Sequence, residues 1–192
     1  QEYALAKGEL SDEKAKQYLQ TMLSQLSVLN EVASSFSAFA RMPAPILQRL
    51  DATLCVRKAV MLYETQPECR IDFSAETDQA WIMADEQVLT RAISNLLLNA
   101  IQAGKPGQVV SIQVSLHQEK HEYVIVIRDN GSGIPLELQE KVFLPHFSTK
   151  KSGSGLGLAI VRQGVEQSHG TISFESQENI GTVFFLRFAK VN

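Results

Sequence analysis

Two glycine clusters carry the clearest chemical signal in this sequence. Residues 129–133 read Asp-Asn-Gly-Ser-Gly, and residues 153–157 read Gly-Ser-Gly-Leu-Gly. Glycine lets the backbone take a positive φ and lets a ligand approach closely, and successive exposed N–H groups form a concave anion site. Lys150 and Lys151 add positive charge next to the second cluster. The pattern predicts a phosphate-bearing ligand held beneath a flexible flap.

The two commonest phosphate loops do not fit these glycines. A dinucleotide fingerprint would need a glycine at Leu136, and no glycine-lysine-serine/threonine triplet is present. A helix predicted at 155–168 would instead offer its N-terminal N–H groups and dipole to phosphate. Ionised Asp129 only accepts hydrogen bonds, so it suits the amine of an adenine. Taken singly, Asp129 also fits an ordinary turn and each cluster a plain loop.

Asparagines are placed unusually on a second predicted helix, residues 86–103, which Asp85 would cap. Asn95 and Asn99 lie one turn apart at the edge of its apolar face. Asparagine is a poor helix former, and a buried amide without partners costs about 1–3 kcal/mol. Either the two amides face solvent or cap a neighbouring element, or they contact a polar ligand or a metal.

A long helix is predicted at residues 12–40, with Ser11 as a possible cap. Its apolar residues recur in a heptad pattern, at Leu19, Met22, Leu26, Leu29, Ala33, Phe36 and Ala40. The helix fits a protein core, or a coiled coil or bundle that needs a partner to cover the stripe. Pro43 and Pro45 end it, and residues 43–50 are predicted to be a linker.

The other predicted elements alternate helices and strands. They are a helix at 52–65 capped by Asp51, short strands at 70–74 and 80–83 around a polar turn, hairpins at 110–128 and 171–189, and a helical turn starting at Pro135. The three longer helices after residue 50 fit one face of a sheet. The predicted fold is therefore α+β, a two-layer α/β sandwich preceded by the long bundle or coiled-coil helix.

Composition narrows the class of protein. The 192 residues are 44% hydrophobic and 20% charged, with a net charge of −3, so the sequence lacks the basic footprint of a nucleic-acid binder. No apolar run approaches the ~20 residues of a membrane span, so no membrane contact is expected within these residues. Cys55 and Cys69 form neither a disulfide framework nor a metal motif. These features favour a cytoplasmic location for the protein.

Taken together and in order, the motifs resemble those of the GHKL ATP-binding superfamily and, within it, of bacterial sensor histidine kinases. Residues 95–100 (Asn-Leu-Leu-Leu-Asn-Ala) resemble the N box, and residues 129–135 the G1 box. Residues 142–150 resemble the F box, residues 153–158 the G2 box, and Gly181-Thr182 the last motif. Residues 36–43 also resemble the end of the second dimerisation helix of nitrogen-regulation-type kinases.

The resemblance implies ATP and Mg²⁺ as cofactors, with Asn99 on the metal and Asp129 on the adenine amine. Residues Lys150 to Ser154 would form the ATP lid. The implied ATP-binding residues are Asn95, Asn99, Ala103, Asp129, Gly131, Gly133, Ile134, Phe147, Ser148, Thr149, Lys150, Gly153, Ser154, Gly155, Leu156, Gly157, Leu158 and Thr182. No catalytic residue of the chain's own is implied.

The resemblance also implies an organisation. Residues 1–42 would be part of a dimerisation hairpin, mainly its second helix, and residues 51–192 the ATP-binding catalytic domain. The partners would be a second copy, through helix 12–40, and a response-regulator receiver domain. Such kinases phosphorylate a histidine that is followed by an acid and, two residues later, by Asn-Pro. His121 is followed by Glu122 but lies in a predicted strand without the Asn-Pro, and the other three histidines are not followed by an acid. We therefore expect a cytoplasmic kinase fragment without its phosphoacceptor histidine. It would come either from a cytoplasmic protein or from the cytoplasmic portion of a membrane-bound sensor.

Two other functions compete with that of a histidine kinase. GHKL enzymes that hydrolyse ATP place a glutamate, the base for water, where this chain has Asn95. An asparagine cannot take that proton, which disfavours hydrolysis. The other rival is an interaction module without catalysis, which the complete glycine boxes disfavour.

Overall fold

A computed structural model of the chain describes residues 14–27, 44–105, 107–148 and 154–191. The chain divides into two units, residues 1–42 with 149–154 and residues 43–148 with 155–192. The predictions for Ser11, for the rest of helix 12–40, and for Thr149, Lys150 and Gly153 lie outside the described residues. In the described segments, no helix has both the length and the hydropathy to cross a membrane.

Helix α1 spans residues 14–27 of the first unit, which confirms this part of the predicted long helix. Its heptad side chains are exposed, with 59% of Leu19, 56% of Met22 and 56% of Leu26 accessible to solvent. Leu23, also exposed, widens the same stripe. Such a continuous apolar stripe is typical of a surface that another helix covers.

Seven strands form two sheets in the second unit. They are β1 (Gln48–Asp51), β2 (Cys69–Ala75), β3 (Trp81–Ala84), β4 (Val110–Gln118), β5 (Glu122–Asp129), β6 (Thr171–Gln177) and β7 (Gly181–Ala189). The larger sheet has the order β2-β4-β5-β7-β6, with β2 parallel to β4 and all other neighbours antiparallel. The predicted hairpins β4–β5 and β6–β7 are confirmed.

The small sheet pairs β1 with β3, and it differs from the prediction in one way. Strand β1 begins within the segment predicted as a linker, residues 43–50. The predicted strands at 70–74 and 80–83 are confirmed as β2 and β3, and β2 pairs with β4 while β3 pairs with β1. Both pairings join segments distant in sequence, so no local turn pattern announces them.

Four helices complete the second unit: α2 (Ala52–Met61), α3 (Glu86–Gln102), α4 (Leu136–Gln139) and α5 (Gly157–Gln167). The predicted N-caps are confirmed. The Asp51 carboxylate accepts hydrogen bonds from Thr53 and Leu54, and that of Asp85 accepts them from Gln87 and Val88. Helix α2 ends at Met61, before the predicted residue 65, and turns follow.

Helices α2, α3 and α5 share one apolar core with the larger sheet, which confirms the two-layer sandwich. Along β4, Ile112, Val114 and Leu116 are almost fully buried, while the residues between them face outward. The core side of α3 contributes Ile93, Leu96 and Leu97, each at most 1% exposed. Burying one such side chain stabilises the fold by roughly 1.5–3 kcal/mol, so this face fixes the orientation of α3.

Candidate functional site

Asp129 is a buried carboxylate at the end of β5. It is 8% exposed and lies opposite Thr182, its partner on β7. Its Oδ1 accepts hydrogen bonds from the backbone N–H of Gly131 at 2.8 Å and of Thr182 at 3.3 Å. These two donors stabilise the negative charge that burial would otherwise disfavour. The structure therefore brings two predicted residues, Asp129 and Thr182, into direct contact.

The turn after Asp129 lies against the end of α3. The N–H of Ser132 donates to the carbonyl of Ala103, the C-cap of α3, at 2.8 Å. A Cβ on Gly131 would come within 2.7 Å of both the Cβ and the carbonyl oxygen of Ala103, so only glycine fits. Gly133 and Ile134 follow in the same turn, half-buried. The predicted residues Ala103 and Gly131 are thus packed together.

Asn95 and Asn99 are half-buried on α3, where the sequence predicted them. The Nδ2 of Asn95 donates to the carbonyl of Gly157 at 3.4 Å, which links α3 to the first residue of α5. The contact joins Asn95 to a neighbouring helix but does not cap the free N–H groups at its start, and the long distance makes it a weak bond. Asn99 lies one turn further along α3, toward Ala103 and the Gly131 turn.

The second glycine cluster opens α5. Gly155 has a φ of +67°, and a Cβ there would lie 2.5 Å from the carbonyl carbon of His146. The predicted helix start at residue 155 is therefore wrong by two residues, because α5 begins at Gly157. Leu156 is buried and Leu158 packs against the core, so any ligand would meet their backbone groups. A helix start leaves N–H groups unpaired and favours anions.

The chain between the two clusters leads toward the segment predicted as a lid. Phe143 packs edge-on against Phe174, with the ring centroids 5.7 Å apart, and fixes this loop on β6. Phe147 is half-buried and Ser148 exposed, and both precede the undescribed residues 149–153. Ser154 is half-buried and belongs to the first unit.

Asp85 connects the start of α3 to the segment that precedes β1. Its Oδ2 accepts the backbone N–H of Ile46 at 2.9 Å, while Oδ1 caps the helix. Burial alone would raise the pKa of Asp85, but hydrogen bonds from Ile46, Val88 and Gln87 outweigh it and lower the pKa below its ordinary value. The ionised carboxylate thus fixes the first turn of the helix that carries Asn95 and Asn99.

Three residues around the site escaped prediction. Ser176 of β6 contacts the Thr182 hydroxyl at 2.9 Å, and Gln139 of α4 donates to the carbonyl of Ile134 at 3.0 Å. Both contacts depend on long-range pairing and leave no local pattern. Gly164 brings α5 close to Val88 of α3, and its spacing of seven residues from Gly157 is the one signal that could have revealed it.

A cavity of about 710 Å³ lies elsewhere in the second unit. It is lined by Asp51, Thr53, Leu54, Arg57, Thr77, Asp78, Gln79 and Trp81. None of the residues that the sequence predicted for ligand binding lines it. The size of this cavity therefore says nothing about the glycine clusters, whose case depends on the contacts described above.

The comparison with known families agrees with these contacts. Residues 84–192 match the family described as "Histidine kinase-, DNA gyrase B-, and HSP90-like ATPase". The match begins at Ala84, immediately before the cap of α3, and continues through both glycine clusters. It therefore includes Asn95, Asn99, Asp129 and Thr182.

Two curated relatives are named as a histidine kinase and as a nitrogen regulation protein. The chain is 32% identical over 185 residues to the signal transduction histidine-protein kinase AtoS of Escherichia coli K12, covering 95% of this chain and 30% of AtoS. It is 33% identical over 159 residues to the nitrogen regulation protein NtrY of Azorhizobium caulinodans, covering 79% of this chain and 20% of NtrY. The chain thus spans less than a third of the length of either relative.

Solved structures of the histidine kinase ThkA share the fold. The nucleotide-free catalytic domain of ThkA superimposes with a TM-score of 0.67 at 29% identity, over 76% of this chain and 96% of that domain. ThkA in complex with the response regulator protein TrrA gives a TM-score of 0.71 at 26% identity, over 96% of this chain and 54% of ThkA.

Proposed function

The chain belongs to the histidine kinase-, DNA gyrase B- and HSP90-like ATPase family, and from this premise we propose that it is the ATP-binding catalytic part of a sensor histidine kinase. In the proposed reaction a histidine nitrogen attacks the γ-phosphorus of ATP. The bond from that phosphorus to the β–γ bridging oxygen breaks, and ADP leaves. The phosphoryl group then passes to an aspartate of a response regulator.

One observation carries the proposal: α3 joins a buried carboxylate site to a helix N-terminus. The Gly131 turn after Asp129 packs on Ala103, the C-cap of α3, and Asn95 of the same helix contacts Gly157 at the start of α5. A group that accepts hydrogen bonds suits the adenine amine, and an exposed helix start suits phosphates. One helix thus contacts both kinds of group that the two ends of a nucleotide would need.

The donor groups on α3 fit a magnesium ion bound together with phosphates. Mg²⁺ prefers oxygen ligands and usually takes few of them from the protein, with the rest from phosphates and water. Asn99 would supply one amide oxygen, and the metal would neutralise phosphate charge. Ser148, Thr149 and Lys150 would approach the phosphates, with the lid from Lys150 to Ser154. Positioning and charge neutralisation account for most phosphoryl-transfer catalysis.

The proposed partners follow from the relatives and from α1. ThkA forms a complex with the response regulator protein TrrA, which supports a receiver domain as the partner of this chain. The exposed stripe of Leu19, Met22 and Leu26 supports a homodimer through helix 12–40. The use of ATP and of a response regulator supports a cytoplasmic location, alone or as part of a membrane-bound sensor.

A hydrolysing ATPase is the second candidate, and Asn95 decides between the two. Its amide already donates to the carbonyl of Gly157, and an amide cannot take a proton from water. Steady ATP turnover by this chain alone, abolished in Asn95→Ala, would favour hydrolysis. Acid-labile label transferred from γ-labelled ATP to an added histidine-bearing dimerisation helix would favour the kinase.

Calorimetric titration with Mg·ATP tests the proposed binding directly. We expect one nucleotide per chain, and about tenfold weaker binding in Asn99→Ala when magnesium is present, because a ligand to a divalent ion is lost. With magnesium chelated, the two proteins should bind ATP alike. Leu98→Ala, an exposed change on the same helix, is the matched control. Absence of binding at millimolar Mg·ATP would favour a non-catalytic interaction module.

A further inference from the structure

The hydroxyl of Ser176 lies directly behind the proposed base-binding groups. Ser176 of β6 is paired with Thr182 of β7. Its Oγ lies 2.8 Å from the backbone nitrogen of Ile134, 3.1 Å from the carbonyl oxygen of Gly181 and 2.9 Å from the Oγ1 of Thr182. These neighbours are a donor, an acceptor and a hydroxyl that can be either.

Counting hydrogens settles which way the hydroxyls point. A serine hydroxyl has one hydrogen and two lone pairs. The Ile134 N–H can only donate, so it takes one lone pair, and the Gly181 carbonyl can only accept, so it takes the hydrogen. Thr182 must therefore donate its own hydrogen to the second lone pair of Ser176. The lone pairs of Thr182 Oγ1 then remain able to accept hydrogen bonds from groups other than Ser176.

Gln139 holds this arrangement in place from a third element. Its Nε2 donates to the backbone carbonyls of Ile134 at 3.0 Å and of Ser176 at 3.1 Å. One side chain of α4 thus ties the turn after Asp129 to β6 at the residue whose hydroxyl binds Thr182. Gln139 thus helps to hold Ser176 close to Ile134, the residue whose N–H its hydroxyl accepts.

We propose that Ser176 is a positioning residue that sets base specificity by fixing the hydroxyl hydrogen of Thr182. The inference rests on the proposed ATP binding. Asp129 offers only acceptors, and Thr182, held by Ser176, adds further acceptors beside it. A base with an amino group at C6 supplies matching hydrogens, whereas a base with an oxo group there places lone pairs against lone pairs.

Binding of Mg·ATP and Mg·ITP tests the proposal, since hypoxanthine carries an oxo group where adenine carries the amine. We expect the wild-type chain to prefer ATP. In Ser176→Ala the preference should narrow by about threefold to tenfold, the value of a neutral hydrogen bond, because the Thr182 hydroxyl can turn its hydrogen toward the oxo group. Ser176→Thr keeps a hydroxyl and should restore the preference. Ser173→Ala, on the same strand but bonded to Arg187, should leave it unchanged.

A double-mutant comparison separates positioning from general damage. In a Thr182→Val background, Ser176→Ala should change the ratio of ATP to ITP affinity no further, because Ser176 acts through the lost hydroxyl. Thermal unfolding verifies that the variants fold. If Ser176→Ala does not fold, Ser176→Cys replaces it, because a thiol is a much weaker hydrogen-bond donor than a hydroxyl.

Two results would overturn the inference alone: an unchanged ratio in Ser176→Ala, or further narrowing in the Thr182→Val background. A wild-type chain that binds neither nucleotide would overturn the proposed function, and the inference with it.

Discussion

Asp129 illustrates how backbone groups can pair a buried carboxyl group. The N–H groups of Gly131 and Thr182 bind the same carboxyl oxygen, and the turn and the strand hold both donors in place. The position of a strand end and a glycine turn was readable in the sequence, and so was the acceptor chemistry. The contact with Thr182 was not, because it depends on the register between β5 and β7.

We predict that Asp129→Asn weakens ATP binding by about tenfold to a hundredfold, since a hydrogen bond to a charged group contributes roughly 1.5–3 kcal/mol. The amide oxygen can still accept the two backbone N–H groups, so the unfolding temperature should change little. Calorimetry measures the affinity. Asp72→Asn, an exposed carboxylate near Arg70, is the control and should bind as the wild type does. Equal affinity in Asp129→Asn would contradict the proposed base contact.

Asp85 is predicted to stabilise the fold in a pH-dependent way. Its pKa is lowered in the folded chain, so its contribution is complete above the ordinary carboxyl pKa of about 3.9 and is lost as the pH falls through the lower folded value. Asp85→Ala should reduce the free energy of unfolding by about 0.5–2 kcal/mol at neutral pH, the usual effect of losing an N-cap.

Denaturant unfolding of both proteins at pH 7 and near pH 3 measures this difference. We expect the gap between wild type and Asp85→Ala to shrink on acidification. A gap that stays constant or grows would show that the carboxylate charge does not stabilise α3. Asp78→Ala, which changes a carboxylate outside any helix cap, controls for the general loss of charge.

At the scale of elements, α3 and α5 pack closely against each other. A Cβ on Gly164 would lie 2.5 Å from Val88 Cγ1, and about two turns away Asn95 meets Gly157. The earlier residue of α3, Val88, meets the later residue of α5, Gly164, and the reverse holds for Asn95 and Gly157. The two helices are therefore antiparallel at this interface. The distance between these helices thus sets the distance between the Asn95 amide and the start of α5.

We predict that Gly164→Ala destabilises the fold by about 1–3 kcal/mol through overpacking, despite the better helix propensity of alanine. Nucleotide binding should weaken as well, because Asn95 moves away from Gly157. The double variant Gly164→Ala/Val88→Ala restores room for the new methyl group and should recover most of the affinity. Calorimetry and thermal unfolding report both effects, and a double variant that binds no better than Gly164→Ala would refute this explanation.

Helix α1 supports a prediction about assembly. Because the side chains of Leu19, Met22 and Leu26 are more than half exposed, we expect two chains to associate through this stripe. Sedimentation at increasing concentration should show a dimer, and Leu26→Glu should shift it toward monomer by placing a charge in the seam. Lys16→Glu, a charge change that leaves the heptad residues intact, is the control. A wild-type monomer at high concentration would contradict the prediction.

Across the whole molecule, local chemistry was predictable and long-range pairing was not. The starts of α2 and α3 were predictable from Asp51 and Asp85, because an N-cap side chain bonds backbone N–H groups only two and three positions away. The parallel pairing of β2 with β4 and the joining of β1 to β3 depend on segments far apart in sequence. The start of α5 was misplaced because the positive φ of Gly155 follows from its contact with His146.

The residues of the candidate site also differ in whether a local motif reveals them. Asn95, Asn99, Asp129 and the glycines could be proposed as site residues because the chemistry of each residue type is visible in a short motif. Ser176, Gln139 and Gly164 were missed because they act on a neighbour's backbone or on helix spacing. Their identity alone, without the fold, carries no information about that role.

The hydrogen bond from Ile46 to Asp85 has a thermodynamic consequence for the molecule. One carboxylate binds both the segment before β1 and the first turn of α3, so loosening one weakens the other. Coupling free energies are reciprocal. If tension on the segment before β1 loosens α3 and lowers the affinity for the proposed nucleotide by some factor, then bound nucleotide must resist that tension by the same factor.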